Sequence, residues 1–259
     1  MRMNSKILHK FDLILKCFTP SEPRWTATEL ADRLKLPVTT LHGILADMVE
    51  MDFLFFSPVS KEYIIGFRHM EMGALHSNNF ELTNIALGIM NDLVFEVDCL
   101  AGLCVLYKGW MYTATTVIPQ RNLAGFKHVG PRLPAHLSAG GLAILAHVPV
   151  EVADKYMALE RDEIYSTLSV QRNELAHELE LTRTRGYSLG CRLSQRGLPE
   201  TIGAPVFGRN RQIIASLVLV GPYEGFPPDV MQRNANMLIM AANEITLRCG
   251  HIGLPCVYV

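Results

Sequence analysis

Two groups of residues in this sequence have the types and spacing to do chemistry. The first is Pro37-Val38-Thr39-Thr40-Leu41-His42-Gly43, where hydroxyl and imidazole side chains crowd the start of an apolar repeat. Such groups hydrogen-bond to base edges and to phosphate oxygens. The second is His136-Leu137-Ser138-Ala139-Gly140-Gly141, together with Gly190-Cys191-Arg192 further on. The amides of a helix opening at His136 to Ser138 would suit a carboxylate. Arg192 beside Cys191 would lower the thiol's pKa, and His136 is the best candidate base for it. Covalent catalysis also needs a group to orient the base, and no motif nominates one. A thiol-dependent enzyme, or a ligand sensor using Cys191, therefore stands as the alternative to a DNA-binding regulator. A sensor without an operator is a third reading.

Bulk properties narrow the field. A chain of 259 residues, 49% apolar and 19% charged, suits two modest domains or one large one. Cys17, Cys99, Cys104, Cys191, Cys249 and Cys256 form no CxxC and no zinc-finger spacing. They read as buried small hydrophobes in a reducing compartment, with no metal and no cofactor. The most continuous apolar stretch, Ile213 to Val220, suits a buried strand and is far short of the roughly 18 residues of a membrane span. His9, Lys10, Asp12 and Lys16 interrupt the first apolar residues, which argues against a secretion signal. A soluble cytoplasmic protein is expected. Residues 1–65 carry eight basic and eight acidic side chains, so they lack the basic footprint that phosphate binding usually leaves.

The elements that would position the first group are legible. Ile7, Phe11, Ile14, Leu15 and Phe18 recur at helical spacing over Ser5 to Phe18. Thr26-Ala27-Thr28-Glu29 has the pattern of a capping box and opens a short helix with Leu30, Ala31 and Leu34. A tight connection, Lys35-Leu36-Pro37, leads to a helix from about Val38 to Met51 with Leu41, Ile44, Leu45 and Met48 inward. Phe53 to Phe56 and Lys61 to Ile65 then read as a hairpin around Ser57 to Ser60. Helix-turn-helix plus hairpin is a winged helix, whose second helix enters the major groove by its N-terminal residues. Val38, Thr39, Thr40, His42 and Gly43 become the groove candidates, and Thr28, Lys35 and Lys61 the phosphate candidates. Gly43 costs about 1 kcal/mol in mid-helix, so it marks either close approach to an outside surface or a tight packing contact.

The second group lies in a longer α/β region. Gly66 to His76 and Asn79 to Val97 read as helices, and Leu100 to Tyr107 and Met111 to Val117 as strands. Helices over His136 to Ala146, Pro149 to Leu159 and Val170 to Arg185 follow. Tyr187 to Cys191, Thr201 to Phe207 and Gln212 to Val220 are strands, and Pro227 to Cys249 is the last helix. The order predicts an α+β chain: residues 1–65 a winged helix-turn-helix, 66–78 a linker helix, and 79–259 an antiparallel sheet of about five or six strands with flanking helices. A ligand would fit the concave side of that sheet, closed by loops.

In order along the chain, the motifs resemble the IclR family of transcription regulators. The likeness covers nearly the whole sequence. Pro37 to His42 resembles the family's recognition-helix start, and Tyr63-Ile64-Ile65-Gly66 its wing-to-linker junction. Gly130 to His136 leading to Gly141-Leu142-Ala143 resembles the effector-domain signature. Arg185-Gly186-Tyr187, Gly197, Ala204-Pro205-Val206 and Gly221-Pro222 resemble the remainder. The resemblance implies a dimer or dimer of dimers assembled through the N-terminal domains and linker helices. It also implies a palindromic double-stranded DNA operator and a GAF-like pocket for a small organic acid or aromatic metabolite. The matching pocket positions are Leu123, Phe126, Leu133, His136, Leu137, Ser138, Ala139, Gly140, Gly190, Cys191, Thr201, Val218 and Val220.

Four departures stand out. Gly43 and Leu142 replace usually basic residues. Lys35 stands where a turn glycine is common. Gly190-Cys191-Arg192-Leu193 stands where acidic residues are usual, which alters the pocket mouth. Val218 and Val220, facing one way on the final strand, make the cavity dry and favour an effector with an apolar body and one anionic end. Arg192 either pairs with that carboxylate or is a solvated loop arginine. His136 either donates to the ligand or is structural. Gly140 and Gly141 either clear space for ligand or allow close helix–sheet packing.

Overall fold

The structure is a computed structural model, which describes residues 5–19, 21–78, 81–120, 132–157, 172–190, 200–222 and 225–250. The chain forms two compact units, Met1–Asn79 and Phe80–Val259. Among the described residues no helix is long and apolar enough to cross a membrane.

In the first unit, helix α1 (Ser5–Cys17) is followed by strand β1 (Trp25–Thr26), α2 (Ala27–Leu34), α3 (Val38–Glu50), β2 (Leu54–Phe56), β3 (Glu62–Ile65) and α4 (Arg68–Asn78). The capping box is formed. Glu29 N–H donates to Thr26 Oγ1 at 3.3 Å, and Thr26 N–H donates to Glu29 Oε2 at 2.8 Å. Helix α2 ends because Lys35 turns left-handed (φ 51°), letting Leu36 N–H close on Ala31 O at 3.0 Å. Ile14, Leu30, Leu41, Leu45, Met48 and Leu54 fill the core, as the helical periodicity predicts. The hairpin gains a third strand that the sequence did not announce, since β1 pairs with β3 through Trp25↔Tyr63 and Thr26↔Glu62. The expected helix start at Gly66 moves to Arg68. A Cβ on Gly66 would stand 2.2 Å from Asp52 O, so this glycine belongs to a close backbone approach instead.

The second unit holds α5 (Glu81–Val97), β4 (Leu100–Tyr107), β5 (Trp110–Val117), β6 (Arg132–Pro134), α6 (Ala139–Leu145), α7 (Val150–Met157), α8 (Arg172–Arg185), β7 (Ser188–Leu189), β8 (Thr201–Phe207), β9 (Ile213–Val220) and α9 (Pro228–Cys249). Among the described residues, six antiparallel strands run in the order β6-β5-β4-β9-β8-β7. The most apolar strand, β9, sits inside the sheet and is buried at every position. Helices α5 and α9 cover one face, packing Leu82, Met90, Leu238 and Ile245 on Leu103, Leu217 and Leu219. A second cluster, with Leu142 and Leu145 of α6, Tyr156 of α7 and Leu179 of α8, also includes Leu106 and Ile213.

The helix expected over His136 to Ala146 is corrected. Ala135–Leu137 form a single 3-10 turn, and α6 starts at Ala139 with Ser138 as its cap. The Ser138 hydroxyl accepts from Gly141 N–H at 3.0 Å and donates to Ala135 O at 3.3 Å. A capping serine at that point ends one turn and begins the next.

Candidate DNA-binding surface and effector-binding face

Helix α3 turns Leu41, Leu45 and Met48 inward. Val38, Thr39, Thr40, His42, Gly43, Ala46, Asp47 and Glu50 are exposed on the other side. Among the described residues nothing lies within 4 Å of where a Gly43 Cβ would stand, so no packing contact within the described chain accounts for this glycine, and its face is open. The helix contains no Lys or Arg. Cations come instead from the turns on either side. Lys35 (φ 51°) closes α2, and Lys61 (φ 60°) leads out of the wing turn. Both are exposed and, among the described residues, neither has an ion-pair partner. Left-handed backbone costs roughly 1 kcal/mol in a residue with a Cβ, and glycine would avoid that cost at both positions. Thr28 is exposed in the first turn of α2. Arg24 is turned aside to Glu62 at 3.6 Å.

In the second unit, the sheet face away from α5 and α9 carries a buried cluster of Leu100, Cys104, Met111, Val218 and Val220, with Leu133 packed on it. Register explains the grouping. Leu100 faces Val220 and Gly102 faces Val218 across β4 and β9, while Met111 faces Leu133 across β5 and β6. Directly opposed residues share a face. Thr201 opposes Val220 on the other side of β9. Gly190 N–H donates to Thr201 O at 2.8 Å, and a Cβ on Gly190 would collide with Thr201 Oγ1.

Helix α6 lies directly on this face. A Cβ on Gly140 would stand 2.8 Å from Val218 Cγ2 and 2.9 Å from Ser216 Oγ. One on Gly141 would stand 2.1 Å from Ala135 O. At these two positions the missing side chains allow close helix–sheet and helix–turn packing, which is the packing alternative for Gly140 and Gly141. The helix start expected at His136 to Ser138 moves to Ala139; there Ser138 Oγ accepts the Gly141 N–H, and Ser138 N–H donates to Ala135 O at 3.3 Å. Ala139 O accepts the Ser188 hydroxyl at 2.6 Å. His136, Leu137, Ser138 and Ala139 are all buried in this turn.

The structure thus brings Leu133, Gly140, Gly190, Thr201, Val218 and Val220 to one face. Leu123, Phe126, Cys191 and Arg192 lie outside the described residues. Sequence reasoning missed Leu100, Cys104, Met111 and Ser216. Alternation along β4 and β9 could have found them only with the register known. Ser216 is fully buried, and its hydroxyl has no hydrogen-bond partner among the described residues. Burial pushes the Cys104 thiol up to about 12, against the opposing effect of Thr113 Oγ1, 4.0 Å away, so it stays protonated.

An exposed second helix in a winged helix-turn-helix, joined in one chain to a sheet with a buried apolar face under a capped helix, defines a ligand-responsive transcription regulator. Residues 13–56 match the IclR helix-turn-helix domain, and residues 74–247 match the domain described as bacterial transcriptional regulator IclR C-terminal. The chain belongs to the IclR family of transcriptional regulators, with a C-terminal effector-binding domain. It is similar to the HTH-type transcriptional regulator KipR of Bacillus subtilis, 24% identical over 97% of this chain and 100% of that protein. It is 28% identical to the glycerol operon regulatory protein of Streptomyces griseus, over 88% of this chain and 89% of that one. Its fold matches an IclR homolog from Microbacterium hydrocarbonoxydans complexed with 4-hydroxybenzoate, with a TM-score of 0.72, 21% identity, and coverage of 93% and 98%.

Proposed function

We propose that this regulator acts in the cytoplasm as a homodimer, or a dimer of dimers, on a palindromic operator, under control of a small organic acid. Residues 1–65 would read DNA, 66–78 link, and 79–259 bind the effector. The observation that carries the reading is the free face of α3. Thr39, Thr40 and His42 offer hydrogen bonds to base edges, Val38 offers apolar contact, and Gly43 lets the helix approach closely. Lys35, Lys61 and Thr28 would meet phosphates. Ile7 and Leu8 on α1, with Phe67, Met70 and Leu75 at α4, are large apolar side chains exposed in the single chain, which supports pairing through those helices.

The effector would lie against Leu100, Met111, Leu133, Val218 and Val220, with Thr201 at the edge and the Ser216 hydroxyl as one unmatched polar group. An apolar body suits that lining, and a relative's complex with 4-hydroxybenzoate supports an aromatic acid. Effector binding would shift the population of domain arrangements, and the linker would carry the shift to the recognition helices. The relatives matched are regulators, which favours this reading over a thiol enzyme.

Mobility shift with the chain's own upstream DNA, repeated across salt concentrations and with candidate acids, tests the proposal. Binding that weakens shallowly with salt and responds to an aromatic or branched acid is expected. Absence of binding at low salt would sink it. So would a calorimetric screen in which only short hydrophilic oxo-acids bind.

A further inference from the structure

The end of the recognition helix and the start of α4 satisfy each other's unpaired backbone groups. Helix termini leave carbonyls and N–H groups without intrahelical partners. Here α3 closes with Met51 N–H on Asp47 O at 3.0 Å and Phe53 N–H on Met48 O at 2.9 Å. Asp52 between them turns left-handed (φ 60°), which points its carbonyl out of the helix. The first N–H of α4, that of Arg68, donates to this Asp52 carbonyl at 3.0 Å. Arg68 Nε donates to Met51 O at 3.4 Å, placing a guanidinium at the negative end of α3. Gly66 N–H donates to Phe53 O at 2.9 Å, and its missing side chain leaves room for Asp52 O. Glu71 holds Arg68 from the other side at 3.0 Å. The Phe53 ring meets Phe11 and His69 edge-on, with centroids 4.9 and 5.4 Å away.

We infer that Asp52, Gly66 and Arg68 form a clamp that makes α3 and α4 one rigid body, and so fixes the half-site spacing of the operator. The inference rests on the proposed pairing through α4. If two copies meet along that helix, the clamp, together with the Phe53–His69 ring contact, sets the angle from the pairing helix to the reading helix. Rotation of α4 then carries α3 with it, and the distance between two recognition helices follows from pairing geometry. Gly66, Arg68 and Asp52 are positioning residues and touch no base.

The test uses the full chain. A half-site is first selected by the wild-type protein from a random duplex pool. It is then built into inverted repeats whose spacers step one base pair at a time over about one helical turn, and into a duplex with one copy. Wild type is expected to bind one spacer best. Arg68→Ala is expected to flatten that preference by about tenfold, with single-half-site affinity and thermal melting unchanged. Gly66→Ala, which pushes a methyl onto Asp52 O, is expected to flatten it further. An Arg68→Ala profile as sharp as wild type overturns the clamp. Equal loss on the single half-site also overturns it, because the role would then be merely structural. Wild type indifferent to spacing overturns the pairing through α4, and the clamp with it.

Discussion

Gly140 rests on Val218: a Cβ on the glycine would stand 2.8 Å from the valine Cγ2. The same Cβ would crowd Met111 Sδ at 3.0 Å, an atom at the flexible end of its chain. On Gly141 it would meet the Ala135 backbone at 2.1 to 2.5 Å, which cannot rotate away. Gly140→Ala should cost about 1–3 kcal/mol. Gly141→Ala should cost more. Urea unfolding of the two variants checks the order, and equal costs would show that α6 does not sit as described.

Lys35 holds a left-handed backbone at the turn between α2 and α3. Lys35→Gly should stabilise the first unit by up to about 1 kcal/mol while weakening DNA binding. The slope of log K against log salt should become shallower by about 1. Opposite signs in the melting and binding experiments would identify a charge kept at the expense of stability.

Thr26 N–H holds the Glu29 carboxyl below its usual range, with the Thr26 hydroxyl adding to the effect. The folded protein therefore binds that proton less readily than the unfolded chain. Its stabilising contribution is complete above the ordinary carboxylate pKa and is lost as pH falls through that value and below. Glu29→Gln keeps an acceptor at the cap and removes the titration. Melting followed from neutral pH to about pH 3 should lose part of its acid sensitivity in this variant.

Val218 lies in the middle of the proposed effector face. Val218→Ser should weaken an aromatic acid by about tenfold or more and favour smaller, more polar acids. Calorimetry with both classes reads the exchange directly.

Much of this was legible before the structure. The pairing of Thr26 with Glu29 is written within four residues, and the inward stripe of α3 within eight. Local rules suffice where the partners are close in sequence. Strands β1 and β6, two and three residues long, are too short to show a period. The face joining Leu100, Cys104 and Met111 to Val218 depends on strand register across more than a hundred residues, which no local pattern fixes. The sequence from His136 reads as one helix because Ser138 looks the same in mid-helix and at a cap, whereas Ala135–Leu137 form a separate 3-10 turn. Gly140 and Gly141 are ambiguous in sequence for a related reason: a glycine signals that something comes close, and the neighbour is set by the fold.

Selection of DNA from a random duplex pool tests the central claim most directly. The wild-type chain should recover an inverted repeat. Thr39→Ala and His42→Ala should change or relax the recovered half-site, while Lys61→Ala should weaken binding to all sequences alike. A pool without an inverted repeat, or a Thr39→Ala variant that recovers an unchanged half-site at unchanged affinity, would contradict reading by the free face of α3.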